Sequence, residues 1–580
     1  MKKIILAIFL ALIFVGCKTD FLERTPLSQI SPENAFNTES ELQLYVNSFY
    51  NSLPSGPEIY SEDADNIVKT SLTPEQTGNR TVPLSDGGWI WTDLRNINYF
   101  LSNYTKGGLS PAVTNKYVGV AKFFRAYFYF NKMIRFGDVP WYSKVIESND
   151  IENLTKARDP RQLVIDSVIA DLDFAIANCN TTVRSDQVTK WTALALKSRI
   201  CLFEGSFRKY HPEFNLPDAD LFWKKSADAS KELMSAESYG LYVSTPDKSY
   251  GELFSSTSAI PREIILAKKF STELQVFHNV NDYTITATQG KPGLEKSLVN
   301  SYLNKDGSRF TDVTNYQTLQ FYDEVQNRDP RLSQTIRTPG YTRIGDNVVK
   351  VPEFGSSVTG YQLTKFVTGN GGDGANHSNN DLPLLRYAEV LLNYAEAKAE
   401  LNELTQNDIN ISIKLLRDRV GMPNLILETA NNTPDPYLGN IYNNVTGANK
   451  GIILEIRRER RIELVMEGFR WNDIYRWKLG RLVTNPFKGM YFPGLGQYDL
   501  DRNGTIDLVI YEGTKPGGNG PTYLKLGSEI DLENGNNGGN VVVNKNIIKK
   551  FNEDRDYLFP LPSQEILLNP NLSQNNLWTP

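Results

Sequence analysis

The sequence predicts a mainly α fold, one half a helical-repeat scaffold and the other a variable, loop-rich half with short strands. Three observations carry that reading. Apolar residues recur at helical spacing between residues 38 and 236, and again from 382 to 480. The intervening stretch 239–375 is rich in Gly, Thr, Asn and β-forming residues. The helical parts also mix small and large apolar residues, as in Ala121–Phe124–Ala126–Tyr127, Ala193–Leu194–Ala195–Ser198 and Ala388–Leu391–Leu392–Ala395.

The first segment sets the compartment. Lys2 and Lys3 precede an apolar run from Ile4 to Val15, closed by Gly16 and Cys17. The run is short for a membrane-spanning helix and ends at a small residue, so residues 1–16 read as a secretory leader. A Cys directly after that small residue is the lipoprotein type of cleavage site, with Phe14 where Leu is usual. Cleavage leaves Cys17 as the acylated first residue, and each buried methylene strengthens the anchor by about 0.8 kcal/mol. The other reading is an ordinary leader that happens to contain a Cys. No later stretch is long and apolar enough to span a bilayer, so the mature chain is expected to touch the membrane through its lipid anchor alone. The formal net charge of −5 becomes more negative once Lys2 and Lys3 leave. Without a basic stripe, nucleic acid is excluded as a partner class.

The elements follow in order. Residues 17–37 are a tether, extended at Pro26. Thr38 and Glu41 form a capping box, and Leu42, Tyr45, Val46, Phe49, Tyr50 and Leu53 make one apolar stripe. Helices are expected at 92–104 and at 112–136, the second ended by Gly137. Asp159–Pro160 opens another, with a stripe of Leu163, Val168, Ile169, Leu172 and Ile176. Further helices cover 190–204, 219–236, 384–403, 407–420 and 451–479. Small residues let antiparallel helices approach closely, as in stacked pairs of the tetratricopeptide type, although the exact repeat signature is absent. The result is one module: scaffold at 38–53, 92–236 and 382–480, variable parts at 54–91 and 239–375, and a loop-rich insertion at 483–546.

Several motifs bear on chemistry. Glu455, Glu459, Glu463 and Glu467 share one helical line beside arginines. Ion pairing would keep those carboxylates ionised, the reverse of what a general acid needs, so a structural network is expected. Gly369, Gly371 and Gly374 make a G-x-G-x-x-G, but polar loop residues follow where a dinucleotide site needs a helix. Cys179 and Cys201 read as buried free thiols, with a disulfide as the alternative. His211, His278 and His377 lie far apart, which argues against a His-rich metal centre. Asp499, Asp501 and Asn503 alternate as calcium ligands do, with Gly504 at the turn and the Thr505 carbonyl and Asp507 completing the shell. Ile510 stands where an EF-hand places its closing Glu. A structural Ca²⁺ is one reading, a metal-free Asx-turn loop the other. No other cofactor is expected.

The most specific text lies elsewhere. LPLLRYAEVLLNYAEAKAELN from Leu382, EIRRERRIELVMEGFRWNDIYRWKLG from Glu455 and YLFPLPSQEILLNPNLSQNNLW from Tyr557 resemble the SusD/RagB family. So do RAYFYFNKMIRFGDVPWY from Arg125 and CKTDFLERTP from Cys17. The resemblance implies a tetratricopeptide-like fold, a lipid-anchored outer-membrane protein facing the cell exterior, and a SusC-like TonB-dependent transporter as partner. It implies an oligosaccharide ligand or, in some members, a peptide. Lys18–Thr19–Asp20 carries a single acid where members bound for the outer face often carry several.

A sugar ring offers an apolar face and a rim of hydroxyls, so it suits aromatics flanked by planar polar groups. Trp89, raised on the turn Asp86–Gly87–Gly88, is the first candidate, followed by Trp91, which has a core role as its alternative. The resemblance places ligand contacts in this region. Phe277, His278 and Tyr283 form a second candidate loop, and Arg80, Asp65 and Asn66 are polar candidates. No G-x-S-x-G, no H-E-x-x-H and no acid pair in a loop supports catalysis, so no enzyme activity is expected. A surface lipoprotein hydrolase and a purely structural repeat scaffold are the rival classes.

Overall fold

A computed structural model describes residues 36–579. The leader, Cys17 and nearly all of the tether lie outside them. No helix among the described residues is long and apolar enough to cross a membrane.

The chain enters at Phe36, fully buried against Phe100 and Tyr45. Helix α1 (Glu39–Asn47) starts with the expected capping box of Thr38 and Glu41. There follow α2 (Thr92–Asn103), α3 (Pro111–Phe136), α4 (Arg161–Asn178), α5 (Lys190–Tyr210) and α6 (Ala219–Ser235). Gly137 ends α3 at φ 74°, the left-handed region that glycine enters without steric cost. In the second helical run lie α7 (Tyr387–Glu400), α8 (Ile413–Arg419), α9 (Lys450–Glu463) and α10 (Arg470–Arg476). Packing is serial: α3 on α4, α4 on α5, α5 on α6, α6 on α7, and α7 on α9. That neighbour-on-neighbour arrangement is how helical repeats build a continuous core. Small residues make it tight. A Cβ added at Gly205 of α5 would meet the Trp223 ring at 2.7 Å.

The other half has its own core around Tyr250, Phe254, Tyr302, Tyr361 and Met490. Its strands are short and paired: β1 (Ile67–Val68) with β3 (Gly293–Leu294), and β2 (Ile264–Lys268) with β4 (Leu382–Arg386). In the C-terminal part, β5 (Phe487–Phe492) pairs with β9 (Gly539–Val543). There, β6 (Gly496–Tyr498), β7 (Leu508–Tyr511) and β8 (Thr522–Lys525) form a three-stranded sheet.

Some expected elements change. The expected helix 384–403 begins as strand β4, where Leu382–Arg386 pairs with β2 before the chain turns helical. The stretch 451–479 is two helices, broken where Met466 and Gly468 take φ of 64° and 75°. On α4, Leu163 is 45% exposed, and Val164 and Ile165 fill the core instead. Cys179 and Cys201 are free and buried.

The two cores meet at a buried ionic seam. Glu463 accepts from Arg419 at 2.6 Å, Arg386 at 2.8 Å and Arg331 at 3.0 Å. Glu459 pairs with Arg331 and Arg417, and Glu467 with Arg386 and Lys365. Burial opposes ionisation of Glu463, but Arg419, Arg386 and Arg331 hold its carboxyl far below the usual range. Glutamates so held are structural ions, and losing one partner would strand the others.

Candidate functional site

Two clefts take up some of the expected site residues. The first, of 360 Å³, opens where the helical half meets the variable half. α9 supplies Arg461, and the short helix Pro436–Ile441 supplies Tyr437. Helix Lys296–Ser301 supplies Ser297 and Asn300, a 3₁₀ turn Tyr316, and strands β5 and β9 Phe487 and Asn540.

Asp65 and Asn66 hold the floor. Arg470 grips Asp65 with two nitrogens, at 2.6 and 2.7 Å. Arg461 Nε donates to Asn66 at 2.7 Å, and its Nη2 reaches Asp65 at 3.3 Å and Ser297 Oγ at 3.1 Å. Burial would raise the Asp65 carboxyl, yet Arg470 and Arg461 hold it at about 2. Asn66 is nearly fully buried, so it positions Arg461 rather than facing the cleft. Tyr437 is fixed by its hydroxyl, which donates to the Ser297 carbonyl at 3.1 Å. On residues that line this cleft, three buried planar polar atoms have no hydrogen-bond partner among the described residues: Arg461 Nη1, Asn300 Oδ1 and Asn540 Oδ1. Buried polar atoms of this kind normally find partners, so they leave hydrogen-bonding capacity for a guest or for water. The half-buried rings of Tyr316 and Tyr437 stand in the same lining.

Trp89 and Trp91 border a different, larger cleft of 680 Å³, with Arg95, Asn98, Tyr142, Ile151, Leu154 and Leu568. The expectation that a flexible turn raises Trp89 is overturned. Trp89 is only 5% exposed and stands edge-on to Phe136 at 4.9 Å and to Trp91 at 5.2 Å. The turn itself is tied down. Gly88 N–H donates to Asp86 Oδ1 at 2.9 Å, Arg135 Nε to the Gly87 carbonyl at 2.9 Å, and Lys132 to the Gly88 carbonyl. Trp91 is half-buried among Phe128, Tyr129 and Tyr142.

The remaining candidates do not converge on either cleft. Arg80 donates to the Asp556 carbonyl at 2.5 Å and lies over the Phe559 ring at 4.3 Å, anchoring the C-terminal segment. His278 is buried, bonded to the Asn380 carbonyl at 2.9 Å, and burial pulls its pKa down to about 4. Tyr283 is core, its hydroxyl donating to the Ser61 carbonyl at 3.1 Å. Of Phe277, His278 and Tyr283, Phe277 alone is half-exposed, 6.3 Å from the His377 ring. The Gly369–Gly374 segment is a 3₁₀ turn followed by β4, not by a helix.

The acidic loop joins β6 to β7. Asp499, Asp501 and Asp507 each present a carboxylate oxygen, all within 4.8 Å of one another. Asn503 Oδ1 instead accepts the Thr505 N–H at 2.8 Å, and Gly504 takes φ 89°. Backbone N–H groups of Gly504 and Leu500 also bind Asp499 and Asp507, each at 2.7 Å.

The family model for the SusD family matches residues 263–578. The chain belongs to the SusD family. It is 25% identical to SusD-like protein P2 of Formosa agariphila, covering 99% of both chains. Among solved structures it is similar to a SusD-like protein from Bacteroides fragilis, with a TM-score of 0.69 at 20% identity over 96% of this chain and all of that one. A second B. fragilis structure, described as a SusD-like carbohydrate binding protein, also has a TM-score of 0.69, at 22% identity over 93% and 99% of the two chains.

Proposed function

We propose that this chain captures an oligosaccharide in the Tyr316–Tyr437–Arg461 cleft and delivers it to a SusC-like TonB-dependent transporter. In this reading acyl chains on Cys17 hold it to the outer membrane, facing the cell exterior, and it turns nothing over. One observation carries the ligand class: rings and unspent planar polar atoms share one lining. Hydroxyls can complete Arg461 Nη1, Asn300 Oδ1 and Asn540 Oδ1 while a ring face covers a sugar's C–H face. Family membership and the carbohydrate binding protein of the same fold support it. Binding without hydrolysis fits the charge state of Asp65, held ionised by two arginines and so unable to act as a general acid.

A stack is worth about 1–2 kcal/mol, so Tyr316→Ala should weaken the best oligosaccharide of a panel about tenfold. Calorimetry reads this directly, and a loss under about twofold would remove Tyr316 from the site. A structural Ca²⁺ between Asp499, Asp501 and Asp507 is a separate proposal, supported by the convergence of their oxygens.

A further inference from the structure

The cations and carboxylates in and around this cleft do not balance. Lys296 is paired with Glu324, and Lys488 with Glu533 at 2.5 Å, so both are neutralised locally. Asp65 is shared between Arg470 and Arg461, and the Arg470 contact is the tighter. Lys549 sits at the rim. Its ammonium lies 3.1 Å from the centroid of the Phe487 ring and donates to the Asn485 carbonyl, both in the cleft lining. No carboxylate among the described residues comes within ion-pair distance of it. The remaining acid, Glu295, is buried and already accepts from the backbone N–H groups of Ser297 at 2.6 Å and Lys488 at 3.1 Å. Burial pushes its pKa up, and burial draws Lys549 down to about 8, still charged at neutral pH. With Asp65 answered by Arg470 beneath the cleft, Arg461 in the lining and Lys549 at the rim face Glu295 alone. The unspent donor Arg461 Nη1 lies in the same lining.

We infer that the saccharide taken by this cleft carries an anionic substituent, a carboxylate or a sulfate ester, recognised by Lys549 and Arg461. This rests on the saccharide reading above and narrows it. A planar carboxylate or a tetrahedral sulfate accepts from guanidinium and ammonium alike through charge-assisted hydrogen bonds, which are stronger than neutral ones. A neutral sugar would leave Lys549 half-buried and without a counter-charge.

The test is calorimetric binding of three oligosaccharides of equal length, one neutral, one bearing uronates and one bearing sulfates, at low and at raised salt. One or both anionic forms should bind about tenfold tighter than the neutral one, with the advantage shrinking as salt rises. Lys549→Gln should erase most of that advantage while leaving neutral binding within about twofold, which also reports that the fold is intact. Which anionic form wins separates carboxylate from sulfate. A neutral form that binds as tightly as both others would overturn the inference and leave the saccharide reading standing. If none of the three binds while an acidic peptide does, both fall.

Discussion

The two clefts contrast in what their polar atoms have left to give. In the larger one, Asn98 spends its amide on the carbonyls of Tyr142 and Lys144, and Arg95 donates to the Ile146 carbonyl at 2.7 Å. Its wall otherwise mixes Trp, Tyr, Ile and Leu with Thr92, Lys144, Asn153, Thr155, Glu565 and Asn569. The Asn153 and Asn569 amides are spent on Asp150 and the Lys156 carbonyl, and Trp89 is wedged into the core. In the smaller one, Arg461, Asn300 and Asn540 keep unpaired atoms beside two tyrosines. Aromatic density alone therefore marks packing. Aromatic rings beside unspent polar atoms mark a place for a guest.

The sharpest way to break this contrast is Trp89→Ala. Removing a buried Trp should cost about 3–5 kcal/mol of stability, read by urea unfolding, with oligosaccharide affinity of the still-folded protein unchanged. A variant of full stability that fails to bind would reverse the assignment of the clefts. Trp91→Ala should likewise leave affinity within about twofold, against the roughly tenfold loss expected for Tyr316→Ala.

Acid should separate the two halves. His278, in the variable half, is held at about 4, below the ordinary value near 6.5. A depressed native pKa means that stability is full above the unfolded value and is lost as pH falls toward the native one, here from about 6.5 to 4. Glu396 lies in the scaffold. Burial would raise it, but Arg476 and other arginines hold it at about 2, so its contribution is lost only between about 4 and 2. Hydrogen exchange against pH should show the variable half loosening first, and simultaneous loosening would contradict this. The smallest effect belongs to the acidic loop. Calcium added to chelated protein should raise Tm by a few degrees at about 100 times its Kd, and neither heat nor shift would end the Ca²⁺ proposal.

The sequence made the scaffold legible because its signals are local. Helical periodicity, the Thr38–Glu41 box and the Gly137 stop need no tertiary information. The break at Met466 was hidden, because β4, Glu62 and the ionic seam hold that bend through partners distant in sequence. The candidate site was hidden for the same reason. Asp65 and Asn66 stood out as polar candidates, but Arg461 read as one more arginine on a charged helix. Tyr437, Tyr316 and Lys549 acquire meaning only when segments more than a hundred residues apart meet. Trp89 misled because an Asp–Gly–Gly turn looks free in sequence, whereas Lys132 and Arg135 on α3 bind its carbonyls.

The most direct measurement is a crystal structure of the protein with the best-binding oligosaccharide. A sugar ring should lie against Tyr316 or Tyr437, with its oxygens within hydrogen-bond distance of Arg461 and Asn300. A saccharide seated instead beside Trp91 and Arg95, with the Arg461 cleft holding only water, would contradict this placement.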